Sequence, residues 1–196
     1  MTALSGALDR LSRELPGGGV SCLLCDHGVA RAADPVWTVA LGGAFAGPAR
    51  TVSVPDGDLQ AVRAAVAALR PGEVLVVAAG GSSAALWGDR LTAAAQARGA
   101  AGVIVDGYVR DVQAVAASGL GLRARGTLPR RAEPTGQGAL DVPVEVAGVR
   151  LAPGDGVLAD ADGVVAIAAQ DAGTIERQLE AWLRAERAAG QEGTEA

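Results

Sequence analysis

No apolar run in this sequence reaches the ~18 uninterrupted residues that a membrane-spanning helix needs. The opening "MTALSGALDRLSRELPGGG" carries acids early and has no signal-peptide core. Those absences predict a soluble, cytoplasmic protein with no membrane partner. Phenylalanine and tyrosine occur once each, so few rings are available to stack on bases, and no dense basic cluster follows a phosphate backbone. Nucleic acid is therefore excluded as a partner. The glycines of "GGSSAALWG" lack the dinucleotide spacing and no Gly-Lys-Ser/Thr follows them, which removes NAD and ATP. A serine hydrolase is unsupported as well, because no G-x-S-x-G elbow is present. The two cysteines, Cys22 and Cys25 in "SCLLCDHG", have no second pair and only His27 nearby, too few for a four-ligand zinc site. Buried apolar packing is their expected fate. His27 is the single histidine, and nothing in the pattern brings it to the other loops, so it is not expected to be the catalytic base.

What is present is a chain of 196 residues, 49% of them hydrophobic, with a net charge of -5. That is enough for one domain, expected over residues 1–188, with 189–196 as a disordered tail. Leu4, Leu8, Leu11 and Leu15 predict an amphipathic helix over residues 3–15. "SCLLCDHGVARA" then leads into a Gly/Pro-rich section that reads as loops and short strands up to Pro48, and "ARTVSV" reads as a strand. From Asp56, "DGDLQAVRAAVAALRPG" has an acidic start, an apolar face and a Pro-Gly stop, the marks of a helix. "EVLVVAA" and "GVIVDG" are apolar on both faces, as strands covered on both sides are, and "RLTAAAQARGA" between them is helical. Strand, helix, strand, helix predicts parallel pairing. Beyond Gly121 the chain reads as a turn-rich loop, then short strands joined by "PGDG" and "DADG" turns, then a helix from Asp171 to about Arg187.

Open α/β sheets bind ligands beyond the carboxyl ends of their strands, and two such ends stand out. One is "VVAAGGSSAALWGDRL" with Asp89; the other is "VDGYVRDV" with Arg110 and Asp111. Neighbouring strands would open both loops onto one crevice. The plain alternative is that Asp89 and Asp111 cap helices and Arg110 pairs with one of them. Arg110 and Asp111, adjacent in the chain, share a site only if the chain bends there, which Gly107 permits. The glycine loop running into a helix start near Arg90 is suited to a small carboxylate, through oriented amides and the helix dipole.

The stretch "GEVLVVAAGGSSAALWGDRLTAAAQARGAAGVIVDGYVRDV" resembles the central signature of the RraA-like family. That family contains 4-hydroxy-4-methyl-2-oxoglutarate aldolases and regulators of ribonuclease E activity. The likeness covers roughly residues 45–170, with "SCLLCDHGV" a weaker match to the family's opening helix-and-aspartate segment. Its specific element is an aspartate, twenty residues, then Arg-Asp, present as Asp89…Arg110–Asp111. The resemblance implies an α/β fold of the swivelling β/β/α type, with a central mixed sheet flanked by helices, assembled as a homotrimer or a pair of trimers. It implies that Asp111 ligates Mg²⁺ or Mn²⁺, that Arg110 contacts the 2-oxo acid, and that Asp89 lies in the metal's water shell. Gly88 and the backbone amides of Arg90 and Leu91 would then hold the substrate carboxylate. The implied activity is a metal-dependent lyase, cleaving or decarboxylating a 2-oxo acid such as 4-hydroxy-4-methyl-2-oxoglutarate or oxaloacetate through a pyruvate enolate. The alternative is a non-catalytic regulator of ribonuclease E, and retention of Asp111 favours the lyase. Some members borrow a glutamate from a neighbouring subunit's C-terminal region; Glu176, Glu180 and Glu186 are available, and no motif selects one.

Overall fold

The computed structural model describes Gly6, Ala7, Arg10 and residues 19–192. The helix expected over 3–15 lies outside the described residues except at Gly6, Ala7 and Arg10, which are helical. From Val20 the chain forms α1 (Val20–Asp26) and two short strands, β1 (Arg31–Ala32) and β2 (Val39–Leu41). It continues through β3 (Phe45–Ser53), α2 (Leu59–Ala68), β4 (Val74–Ala78), β5 (Ala85–Trp87), α3 (Asp89–Ala97), β6 (Gly102–Val109), α4 (Val112–Ser118) and β7 (Leu122–Thr127). The last part holds β8 (Ala139–Leu140), β9 (Val144–Val146), β10 (Val149–Leu151), β11 (Gly156–Ala159), β12 (Val164–Ile167) and α5 (Ala172–Glu192).

The main sheet runs β1-β12-β11-β3-β4-β6-β7-β2, with β5 added to β6 and β8 to β3. Its centre is parallel, β3 to β4, β4 to β6 and β6 to β7, as the alternation of strands and helices predicts. Its wing is antiparallel: β11 pairs with both β3 and β12. Strand β3 belongs to both regions, pairing through its first half with β11 and through its second half with β4. The fold is thus the expected mixed sheet flanked by helices.

Strand β4 shows why this sequence demands cover on both faces. Leu75 and Val77 join the core beneath the helices with Val62, Val66 and Val105. Val74 and Val76 point the other way, into a core shared with Ile104 and the β9–β10 hairpin. A third core packs α1 and α5 against β11 and β12, with Ile175, Leu179, Trp182 and Leu183 as the expected stripe of α5.

Several local expectations change. Residues 20–26, for which the residue pattern predicts no element, form a helix, held where Ser21 donates its N–H (2.9 Å) and its hydroxyl (2.8 Å) to the buried Asp160. A seven-residue helix spans too few turns to show a 3.6 period. Strand β3 starts at Phe45, four residues before the expected "ARTVSV", and carries Pro48 within it. The glycine loop contains β5, a three-residue strand. Helix α5 runs to Glu192, past the expected stop near Arg187 and into the segment expected to be disordered. Cys22 is exposed and only Cys25 packs partly against a core, which corrects the expectation that both are buried. No helix among the described residues is long and apolar enough to cross a membrane.

Candidate functional site

Strands β5 and β6 run parallel and end side by side. Trp87 is in register with Val109, and the Arg110 N–H donates to the Trp87 carbonyl at 2.9 Å. This contact places the loop after β5 against the loop after β6, as the neighbouring-strand argument requires. Gly88 is the meeting point. A Cβ built there would lie 2.7 Å from Asp111 Oδ2 and 3.3 Å from Arg110 Cγ, so glycine is what lets both side chains close onto the start of α3. The structure therefore brings Gly88, Asp89, Arg90, Leu91, Arg110 and Asp111 to one place.

Their roles as helix caps do not hold. Gly88, not Asp89, is the cap residue of α3, and Asp89 is the first helical residue. Its Oδ1 accepts the Arg90 N–H at 2.7 Å, so that amide, expected to bind a substrate carboxylate, is already engaged. The Leu91 N–H belongs to the first helical turn, where donors lack acceptors within the helix. Asp111 does occupy the cap position of α4, but its side chain makes no capping bond. Its backbone is left-handed, φ 55° and ψ 34°, which aspartate tolerates better than most residues. This is the bend that lets adjacent residues share a site. It occurs at Asp111 itself rather than at Gly107, which lies within β6 and serves close packing: a Cβ there would meet the Ala79 Cβ at 2.7 Å. Arg110 Nε lies 3.2 Å from Asp111 Oδ2, and both side chains remain more than a third exposed.

Residues that no motif singled out hold this geometry. The Thr92 hydroxyl accepts the Trp87 indole N–H at 2.8 Å and donates to the Gly88 carbonyl at 3.0 Å. The Thr92 N–H donates to the same carbonyl at 3.0 Å. Trp87 and Thr92 are both buried, so the turn at Gly88 is fixed from beneath.

The cleft in front of Gly88 has an apolar lining that includes Leu59, Ala85 and Leu91. Four arginines line it, Arg63, Arg90, Arg110 and Arg131, against one acid, Asp89. Arg63 and Arg131 were missed. The only sequence signal was the density of arginine in "RGTLPRRAEPTGQGAL". Arg131 reaches the cleft because its segment bridges to Ala85 and because Leu59 donates its N–H to the Glu133 carbonyl at 3.1 Å. Asp58 clamps the loop that follows. It is fully buried and accepts N–H bonds from Gln60 (2.9 Å), Thr135 (2.8 Å) and Gly138 (3.0 Å). Burial alone would raise its carboxyl pKa, but those backbone donors outweigh burial and hold it well below the usual carboxylate range.

No group of three or more His, Cys, Asp or Glu suited to a metal occurs among the described residues. Mg²⁺ does not need one, because it is held by one or two carboxylates and keeps several waters. Asp111, uncapped, part-exposed and given room by the missing Cβ of Gly88, fits such an ion, with Asp89 as the nearby acid. His27 stacks on Trp182 with ring centroids 4.5 Å apart and takes no part in lining the cleft. Of the C-terminal glutamates, Glu180 pairs with Arg10 at 2.5 Å.

A family model described as RraA-like, Aldolase/RraA, matches residues 21–166. The chain is 42% identical over an alignment of 162 residues to a protein of Albidiferax ferrireducens named "Putative 4-hydroxy-4-methyl-2-oxoglutarate aldolase", with 74% of this chain and 92% of that protein covered. The fold matches the Streptomyces coelicolor RraAS2, described as an unusual member of the RNase ES inhibitor RraA protein family. The TM-score is 0.74 at 33% identity, covering 92% of this chain and 95% of that one. A Geobacillus kaustophilus structure described as an S-adenosylmethionine:2-dimethylmenaquinone methyltransferase is 39% identical, with a TM-score of 0.69, covering 76% and 94%.

Proposed function

The chain belongs to the RraA-like family, and from that premise we propose that it is a divalent-metal-dependent lyase. Its reaction is retro-aldol cleavage or decarboxylation of a 2-oxo acid, such as 4-hydroxy-4-methyl-2-oxoglutarate or oxaloacetate, releasing pyruvate. The observation that carries this reading is the convergence of Asp89, Arg110 and Asp111 on Gly88, whose missing Cβ makes the approach possible. The chain contains no lysine; all seventeen of its basic side chains are arginine. An amine that could form a Schiff base with the 2-oxo group is therefore absent from its side chains, and the charge formed on that oxygen must be met electrostatically.

In this reading Asp111 would hold Mg²⁺ or Mn²⁺, which when bound would supply Lewis-acid polarisation of the 2-oxo group, worth several kcal/mol. Arg110 holds the C2 oxygen and a carboxylate oxygen together, using the planar fork that a lysine point charge lacks. The Leu91 N–H and the positive end of α3 face the same carboxylate. As the bond beyond C3 breaks, its electron pair passes into the enolate, and the leaving half departs as a carbonyl compound or as CO₂. For the retro-aldol case the hydroxyl proton on C4 leaves through a water to Asp89 Oδ2, the oxygen not occupied by Arg90. Enolate C3 then takes a proton to give pyruvate. We include in the proposal a homotrimer or pair of trimers acting in the cytoplasm.

The inhibitor description of the Streptomyces relative supports a second reading, a protein-binding regulator without catalytic duty. A regulator has no use for an uncapped left-handed aspartate beside an arginine, so the lyase is preferred. A methyltransferase is not supported, because the chain has no glycine-rich adenosylmethionine loop. Pyruvate release from oxaloacetate in the presence of Mg²⁺, lost on adding a chelator, separates the readings. No release from several 2-oxo acids with several metals favours the regulator.

A further inference from the structure

The four arginines of the cleft are not equivalent. Arg110 is paired with Asp111 at 3.2 Å, and Arg131 lies 3.8 Å from Glu133. Arg90 follows Asp89 directly in the wall that holds the reacting end. Arg63 has no ion pair or side-chain hydrogen bond among the described residues. It is nevertheless held on a firm base. Leu59, one turn earlier on α2, lines the same cleft, while the intervening Val62 and the following Val66 are buried in the core. The start of α2 is fixed by the Asp58 clamp. A guanidinium with no partner among the described residues, on a rigid helix and facing a cleft with three further arginines and one acid, is suited to an anion.

Resting on the 2-oxo acid reading, we propose that Arg63 is the specificity-determining residue that binds a second carboxylate, the one on the far side of the bond that breaks. The pyruvyl half is held by groups on α3 and by Arg110, so the part of the substrate beyond C3 must meet the remaining walls of the cleft. Of these, α2 contributes Leu59 and Arg63, an apolar contact for a short carbon chain followed by a fork for its terminal carboxylate. Arg63 is thereby the residue that favours the 2-oxo dicarboxylates of that reading over 2-oxo monocarboxylates of equal length.

Calorimetric titration with Mg²⁺ present tests this, using 2-oxoglutarate and 2-oxopentanoate, which differ only in the terminal carboxylate. Wild type binds 2-oxoglutarate roughly tenfold tighter or more, as one charge-assisted contact provides. Arg63→Gln loses that preference and keeps its affinity for 2-oxopentanoate, which also shows that the variant is folded. Arg63→Lys retains part of the preference, as a point charge does. A preference that survives in Arg63→Gln, or an equal loss for both ligands, overturns the assignment. If wild type binds both ligands equally, the Arg63 assignment falls and the 2-oxo acid site stands. If it binds neither, the 2-oxo acid reading fails and the assignment fails with it.

Discussion

Asp111 shows how the site depends on single residues. Its left-handed backbone turns its side chain to the same place as that of Arg110, and its carboxylate has no capping work to do. Asp111→Ala is expected to lower metal-dependent turnover by ~10² or more, and Arg110→Lys nearly as much, as removal of an oxyanion stabiliser does. Steady-state kinetics across metal concentrations checks both. Gly88→Ala tests the crowding directly. Its new Cβ would stand 2.7 Å from Asp111 Oδ2, so metal affinity should fall while circular dichroism stays that of wild type. His27→Ala should keep most activity, since its ring packs on Trp182 away from the cleft lining. That Asp89, Arg110 and Asp111 stand at two strand ends was legible in the sequence, while their proposed roles come from the family resemblance. The bend at Asp111 was not legible, because a single left-handed aspartate carries no sequence pattern, and the room for its side chain comes from a glycine twenty-three positions earlier in the chain.

The elements that shape the cleft are joined by Asp58, which caps α2 and ties down the 133–138 loop at once. Asp58→Asn leaves at least one of these buried N–H groups without its charged acceptor, and stability should fall by about 2 kcal/mol or more in denaturant unfolding. The pH dependence has a definite sign. The folded carboxyl pKa lies below its unfolded value, so its contribution is complete above about pH 4 and is lost as pH falls through the folded value. Wild type should therefore lose stability below about pH 4 more steeply than Asp58→Asn; equal slopes would remove Asp58 as the cause. At this scale the buried strands β4 and β6 and helices α2, α3 and α5 were legible from apolar runs and periodicity. Strand β5 and helix α1 were not, because three and seven residues carry no readable period and are held by tertiary contacts.

The whole molecule joins a parallel α/β centre to an antiparallel wing through β3, and the site lies where β5 and β6 end. The alternation of strands and helices made the parallel centre legible. The arginines opposite the site became visible only when α2 and the Arg131 segment closed over it, since their spacing in the chain has no pattern. The proposed assembly predicts a solution mass of three or six chains by light scattering, and a monomer would contradict it. The central claim is tested most directly by pyruvate release from oxaloacetate, with Mg²⁺ or Mn²⁺ added and removed, in wild type and in Asp111→Ala. The account predicts turnover that requires the metal, stops with a chelator and is lost in the variant. Turnover that persists without metal, or equal rates in the two proteins, would contradict it.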